Sequence, residues 1–457
     1  MGYNEAMKTI PDHTLKFLDS WLTLRSKWAE IPGFVVAVAK DGEVIFNKAY
    51  GYADIDTKEP LTPEHMFRVA SQSKTFTATA IMQLQEAGKL RIDDRVVDHI
   101  DWLKEHRDQR WQEVTIRQVL SHSAGVIRDG LDADYWQLKR AFPDQEQFKD
   151  AILDADLVIE PNTNLKYSNY GYSLLGLVIE AASGVTYEEY VIQNIFTPLT
   201  LTDVQVEYTP GLHMTQGYTR MTPDRSRYAV PHVTTNVMAP ATGFCATARD
   251  LCRYYSAQLI GSNKLLSDTS KRDMQHRHWE VPMTSEHGAY GLGFEYARYG
   301  GRDLLGHGGG FPGHITQTVF DGDDQLVVTV LTNCNGFIGG MVSGIVSVLY
   351  EMGDKEPSDE LMKYQGRFSD LWGIYEIVAV GDELRGVWPN SWWPFSLYET
   401  LEVTDENTLS IKKTNGFYSP GESIAFVRND DGSIRSVRNA GTTMRPSVDG
   451  DVQPAWM

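Results

Sequence analysis

Cysteine is scarce. The 457 residues hold three, Cys245, Cys252 and Cys334, an odd number at wide spacing. No disulfide framework is indicated. Positive charge is short as well: 42 Lys and Arg against 61 Asp and Glu give a formal net charge of -19. That balance argues against nucleic acid and anionic membrane as partners, and a self-repelling surface is expected. No apolar run is long enough to span a bilayer. The richest late run, Ile338 to Tyr350, is short and interrupted by glycine. The start lacks a basic segment followed by an apolar core and a small-residue cleavage site. Ala6 stands where a myristoylation pattern after Met1-Gly2 wants Ser or Thr. These absences together lead to the expectation of a soluble, cytoplasmic protein. The His276-x-His278 pair has no third ligand at a usable spacing, so neither metal nor cofactor is expected.

What is present suggests one large and one small domain, since 51.5 kDa exceeds one average domain. The expected boundaries are 1–353 for the large domain, a polar, proline-bearing linker at 354–360, and 361–457 for the small one. Residues 10–30 carry Leu15, Leu18, Trp21 and Leu22 on one helical face. Two strands around Asp41-Gly42 follow. Later strands are read at 315–320 and 325–332, and a last helix at 340–352. Beyond it, six short β-rich runs between 374 and 438 alternate with Gly381-Asp382, Asn415-Gly416 and Asp431-Gly432 turns, the pattern of a small antiparallel barrel or sandwich. Trp388, Trp392, Trp393 and Phe395 are read as its core and docking surface.

The chemistry centres on Ser71-x-x-Lys74. Ala78, Ile81, Leu84 and Ala87 recur at helical spacing after it and Gly88 ends the run, so Ser71 is placed near a helix N-terminus with Lys74 one turn on. A serine attacks only when a base takes its proton. Lys74 is that base if burial drives it toward the neutral form. Tyr167 and Asn169 fall on a short loop before an apolar helix, where side chains are aimed into a cleft. His122 closes a helix read from Thr115 to Gly125 and is assigned to satisfying helix-end carbonyls rather than to chemistry. His307 ends a strand and precedes Gly308, Gly309 and Gly310, which let a substrate backbone lie close.

Ser71-x-x-Lys74, Tyr167-Ser168-Asn169 and His307-Gly308-Gly309, in that order, resemble the three motifs of the serine β-lactamase and penicillin-binding-protein family. The match is to the class C-like branch with D-aminopeptidases and carboxylesterases, over roughly residues 30–350. The resemblance implies an α+β fold: an antiparallel sheet flanked by helices, plus a helical region, followed here by a small β-barrel similar to a lipocalin-like tail. It implies that Ser71 is acylated, that Lys74 and Tyr167 share the base role, and that Asn169 orients Lys74 or the substrate amide. It also implies an oxyanion hole from the backbone N–H groups of Ser71 and Gly310, with Gly309 beside it. His307 stands where many relatives have lysine, which weakens the fixed positive charge for a substrate carboxylate and speaks against true β-lactamase or D,D-carboxypeptidase action. The activity implied is a serine hydrolase cleaving an ester or amide, such as a peptide with D-residues. The alternatives are an acyltransferase that cyclises or aminolyses a peptidyl ester, and a non-enzymatic assembly protein. The expected partners are a small-molecule or peptide substrate and further copies of the chain in a homo-oligomer.

Overall fold

The fold is described from a computed structural model, for residues 7, 9–282, 287–336, 338–416 and 419–447. The N-terminal Met1 to Ala6 pattern and the last ten residues assigned to the barrel lie outside the described residues. Contacts divide the chain into two compact units, Ile31–Arg298 with Arg302–Ile338, and Met1–Glu30 with Tyr299–Gly301 and Gly339–Met457.

The first unit is built on a nine-stranded antiparallel sheet. In spatial order its strands are Glu59–Pro60, Glu43–Asp54, Gly33–Lys40, Leu326–Thr332, His314–Asp321, Arg302–Phe311, Glu295–Tyr299, His287–Tyr290 and Trp279–Pro282. Gly33–Lys40 is buried along its whole length, as its unbroken apolar run requires. Its hairpin to the next strand turns on Asp41 and Gly42, both at positive φ (53° and 85°), the condition for a two-residue turn that keeps the strand twist. On its other side it pairs with the last strand of the sheet, Val36 opposite Val330. The helix Ala248–Ala257 packs on these central strands. The sequence-read helix 115–125 is shorter than expected: it spans Ile116–Leu120, with Thr115 and Gln118 forming a capping box. It stops because His122 turns to φ 56°.

The second unit holds a closed eight-stranded antiparallel barrel. Two strands beyond the six read from sequence close it: Gly366–Asp370 and Thr442–Pro446 pair at Phe368 opposite Pro446. Both are polar except for an inward Phe368 and Met444, so they carry little hydrophobic alternation. The helix Asp12–Trp28 belongs with the barrel. Trp21 is fully buried, lies edge-on to Trp392 at 5.9 Å and donates to Pro389 O at 3.2 Å. Phe17 packs on Phe395 at 5.5 Å, and Arg25 covers the Trp392 ring at 4.4 Å. Trp388 instead packs on Tyr375 inside the barrel, and Trp393 is exposed. Cutting the chain near Gly353 would strip Trp21 and Phe17 of these partners. Such a fragment is expected to aggregate or to melt lower by several degrees. A monodisperse fragment with an unchanged melting temperature would refute this.

Candidate active site

Ser71 sits in a 3₁₀ turn, Ala70–Gln72, that runs straight into the helix Ser73–Glu86. Ala70 has φ 51°, a left-handed conformation that costs an L-residue about 1–3 kcal/mol and persists only where its surroundings impose it. Those surroundings are identifiable. Val69 N–H donates to Phe244 O (2.9 Å). The Ser73 hydroxyl donates to Ala70 O (2.6 Å) and accepts from Phe244 N–H (3.1 Å). The Gln72 amide donates to the Thr316 hydroxyl (2.9 Å), which donates to Val69 O (3.3 Å). The turn is thus pinned from the sheet and from the 239–246 segment. Ser71 itself stays partly exposed, while Gln72, Ser73 and Lys74 are buried.

Lys74 Nζ lies 3.1 Å from Ser71 Oγ. It donates to Asn169 Oδ1 at 2.7 Å and to Ala241 O at 2.8 Å. Asn169 cannot turn its amide over, because its Nδ2 donates to Asp129 Oδ1 at 2.7 Å. Both partners of Lys74 are therefore pure acceptors. They occupy two N–H bonds, and the remaining position on nitrogen faces Ser71: a lone pair when the amine is neutral, a hydrogen when it is charged. Burial pushes the Lys74 pKa down to about 7, against the raising pull of the Asp129 and Glu295 carboxylates.

Tyr167 precedes the helix Asn169–Ser183, which Ser168 caps by accepting from Gly171 N–H. Its ring lies 4.8 Å from Lys74 Nζ. Burial raises the phenol well above its ordinary pKa, so it stays protonated at neutral pH, although hydrogen bonding with Ser71 opposes the rise. His122 is buried behind it, with the Tyr167, Tyr290 and Tyr172 rings 4.2, 4.7 and 5.0 Å away. Its Nδ1 accepts from Ser168 N–H at 3.1 Å, which uses its one basic nitrogen. His122 thus fastens the Tyr167–Asn169 loop through a backbone N–H, rather than by satisfying helix-end carbonyls.

His307 is buried in the strand Arg302–Phe311. Its Nδ1 faces Gly308 O at 2.6 Å, an acceptor only, so Nδ1 carries a hydrogen. Nε2 meets the Tyr290 hydroxyl at 3.1 Å. Burial lowers the His307 pKa below its ordinary value, with nearby Glu295 opposing. The neutral ring then accepts from Tyr290 O–H. Two residues on, Gly309 leaves no room for a side chain: a Cβ would stand 2.1 Å from Val69 O. Gly310 is exposed, and a Cβ there would make only ordinary contact with Ile315. Gly309→Ala is expected to push the strand off the Ala70–Gln72 turn and cost about 1–3 kcal/mol. Denaturant midpoints and labelling rates of Ser71 would measure it, and unchanged values for both would count against this packing.

The family model described as Beta-lactamase matches residues 21–346. The chain belongs to the beta-lactamase family. Among curated relatives, Penicillin-binding protein 4* of Bacillus subtilis (strain 168) is 29% identical over 328 residues, covering 65% of this chain and 67% of that one. Protein flp of Staphylococcus aureus (strain NCTC 8325 / PS 47) is 31% identical over 182 residues, 39% of this chain. The match spans only 36% of flp's length. Among solved structures, the octameric penicillin-binding protein homologue from Pyrococcus abyssi superposes with a TM-score of 0.63 at 22% identity. It covers 94% of this chain and 99% of its own, a likeness of fold.

Within this candidate site of a beta-lactamase-family chain, Ser71, Lys74, Tyr167 and Asn169 meet directly, and His307 joins through its strand and Tyr290. Four participants had no signal in the sequence reading: Asp129, Ala241, Tyr290 and Glu295. Glu295 Oε2 accepts from Gly308 N–H at 3.1 Å, and its Oε1 is 3.6 Å from His307 Nε2. The His276 and His278 rings are 5.3 Å apart, and His278 Nε2 bonds Asp273 O at 3.2 Å. Among the described residues, the group with metal-ligand spacing is Glu59, His65 and His213. It fits a cation poorly. His65 Nδ1 accepts from Thr62 N–H, which leaves a hydrogen rather than a lone pair on Nε2 toward Glu59. No helix among the described residues is long and apolar enough to cross a membrane.

Proposed function

We propose that the chain is a serine hydrolase that cleaves an ester or amide, such as a D-residue-containing peptide, through an acyl-enzyme on Ser71. The observation that carries this reading is the Lys74 amine: buried, lowered to about 7, and with one position left facing Ser71 Oγ. Neutral Lys74 takes the Ser71 proton as Oγ attacks the carbonyl. Tyr167, held protonated, hands a proton to the leaving group and is reprotonated from Lys74. The N–H groups of Ser71 and Gly310 stabilise the oxyanion. Water then attacks the ester and releases the acid.

The test is a fluorophosphonate followed by peptide mapping. The adduct is expected on Ser71, and an adduct on another serine, or none, would refute the reading. The labelling rate should also rise with pH around a midpoint of about 7, because only the neutral amine accepts a proton. A flat profile from pH 5.5 to 9 would remove Lys74 from the base role. Acyl transfer to an amine is the second outcome of the same intermediate, read from products when an amine is added. The Pyrococcus abyssi homologue is described as octameric, which supports a homo-oligomer here, to be measured by sedimentation.

A further inference from the structure

We propose that Glu295 forms the anionic wall of a substrate subsite that takes a protonated amine carried by the acyl donor. The proposal rests on the hydrolase reading above. Glu295 opens the strand Glu295–Tyr299, beside the strand that carries His307, and its side chain is 36% exposed. Its carboxylate is held in place, since Oε2 accepts from Gly308 N–H. Oε1 keeps lone pairs free, 3.6 Å from His307 Nε2.

That neighbour does not neutralise it. The neutral His307 presents Nε2 to Tyr290 as an acceptor and gives its one hydrogen to Gly308 O. Among the described residues no Lys or Arg forms an ion pair with Glu295. Arg128 is a contrast: it lies 5.5 Å from the Tyr167 ring, but its charge is met by Asp129 at 3.2 Å. Glu295 is also near the reacting centre, because its charge acts on both Lys74 and Tyr167. A fixed, partly exposed carboxylate without a Lys or Arg ion-pair partner, close enough to act on Lys74 and Tyr167, attracts an ammonium and repels a carboxylate. The ligand class is a primary ammonium a few bonds from the scissile carbonyl, as in an amino-acid ester or a peptide with a free amino terminus.

The experiment compares kcat/KM for alanine and phenylalanine methyl esters, each enantiomer, with the amine free and acetylated. The unaltered chain is expected to prefer the free amine at pH 7. Glu295→Gln keeps an acceptor for Gly308 N–H and removes the charge, and it should lower the free-to-acetylated ratio by about tenfold. Raising salt should shrink the ratio in the unaltered chain alone. An equal loss on both ester classes would make Glu295 a positioning residue for His307 and overturn the subsite, as would an unchanged ratio. If no ester is turned over and Ser71 is not labelled, the hydrolase reading fails by itself. Calorimetric titration of phenylalaninamide and its N-acetyl derivative still reads the subsite. Tighter binding of the free amine, lost in Glu295→Gln, supports it, and equal binding overturns it.

Discussion

Lys74→Met is expected to slow acylation of Ser71 about a thousandfold, in the range of a lost general base. Methionine fills the buried space but has no lone pair of sufficient basicity, and it leaves Asn169 Oδ1 and Ala241 O without their donor. Lys74→Arg should fail equally, for a different reason. A guanidinium stays charged throughout the working range and offers only hydrogens, so it satisfies the two acceptors without accepting the Ser71 proton. The pair separates the chemical role from the structural one. If Arg restored the rate, hydrogen bonding alone would explain Lys74. If both variants are slow and the Arg form keeps the melting temperature, the amine is the base. Residual labelling in either variant should also lose its rise around pH 7, since the group responsible for that rise is gone.

The legible part of this site is the part whose chemistry lives in side chains at fixed spacing. Ser71 and Lys74 are one helical turn apart, and any helix there brings them together. Tyr167 and Asn169 share a loop for the same local reason. What was hidden depends on the path of the backbone. Ala241 takes part through its carbonyl, which no side chain advertises. Asp129 acts at one remove by fixing the Asn169 amide. Tyr290 and Glu295 sit on strands that look like ordinary sheet, and only the pairing of Tyr290 with Glu295 and the neighbouring His307 strand converts them into a cluster. The same rule holds for the fold. The Asp41-Gly42 hairpin and the buried strand Gly33–Lys40 follow from local pattern. The association of the helix Asp12–Trp28 with the barrel rests on contacts such as Trp21 to Pro389, far apart in the chain.

His307→Lys, alone and with Glu295→Gln, is expected to change which acyl donors react. In the unaltered chain the ring is neutral at pH 8, because burial lowers its pKa below the ordinary value and its one hydrogen is given to Gly308 O. A penicillin carboxylate therefore meets no cation at this position and faces Glu295 instead. Slow acylation by penicillins beside faster turnover of uncharged esters is the expected baseline. A lysine that carries its charge at pH 8 would offer an ionic hydrogen bond to a carboxylate, worth about 1.5–3 kcal/mol, or roughly 10- to 150-fold. Glu295 limits the gain. Its carboxylate, 3.6 Å from His307 Nε2 at present, is placed to pair with the new ammonium. The single variant should gain about tenfold with a penicillin at pH 8, and the double variant about a hundredfold. A second readout guards against mere disruption. Glu295 raises the Lys74 pKa through its charge, and a lysine at 307 would lower it. Both substitutions should therefore move the rising limb of the pH profile below 7, and the double variant should move it furthest. Acylation rates with a penicillin and an uncharged ester from pH 6 to 9, for all four forms, decide the matter. Fast penicillin acylation by the unaltered chain at pH 8, or a double variant no better than the single one, would show that the charge at these two positions does not set the selectivity.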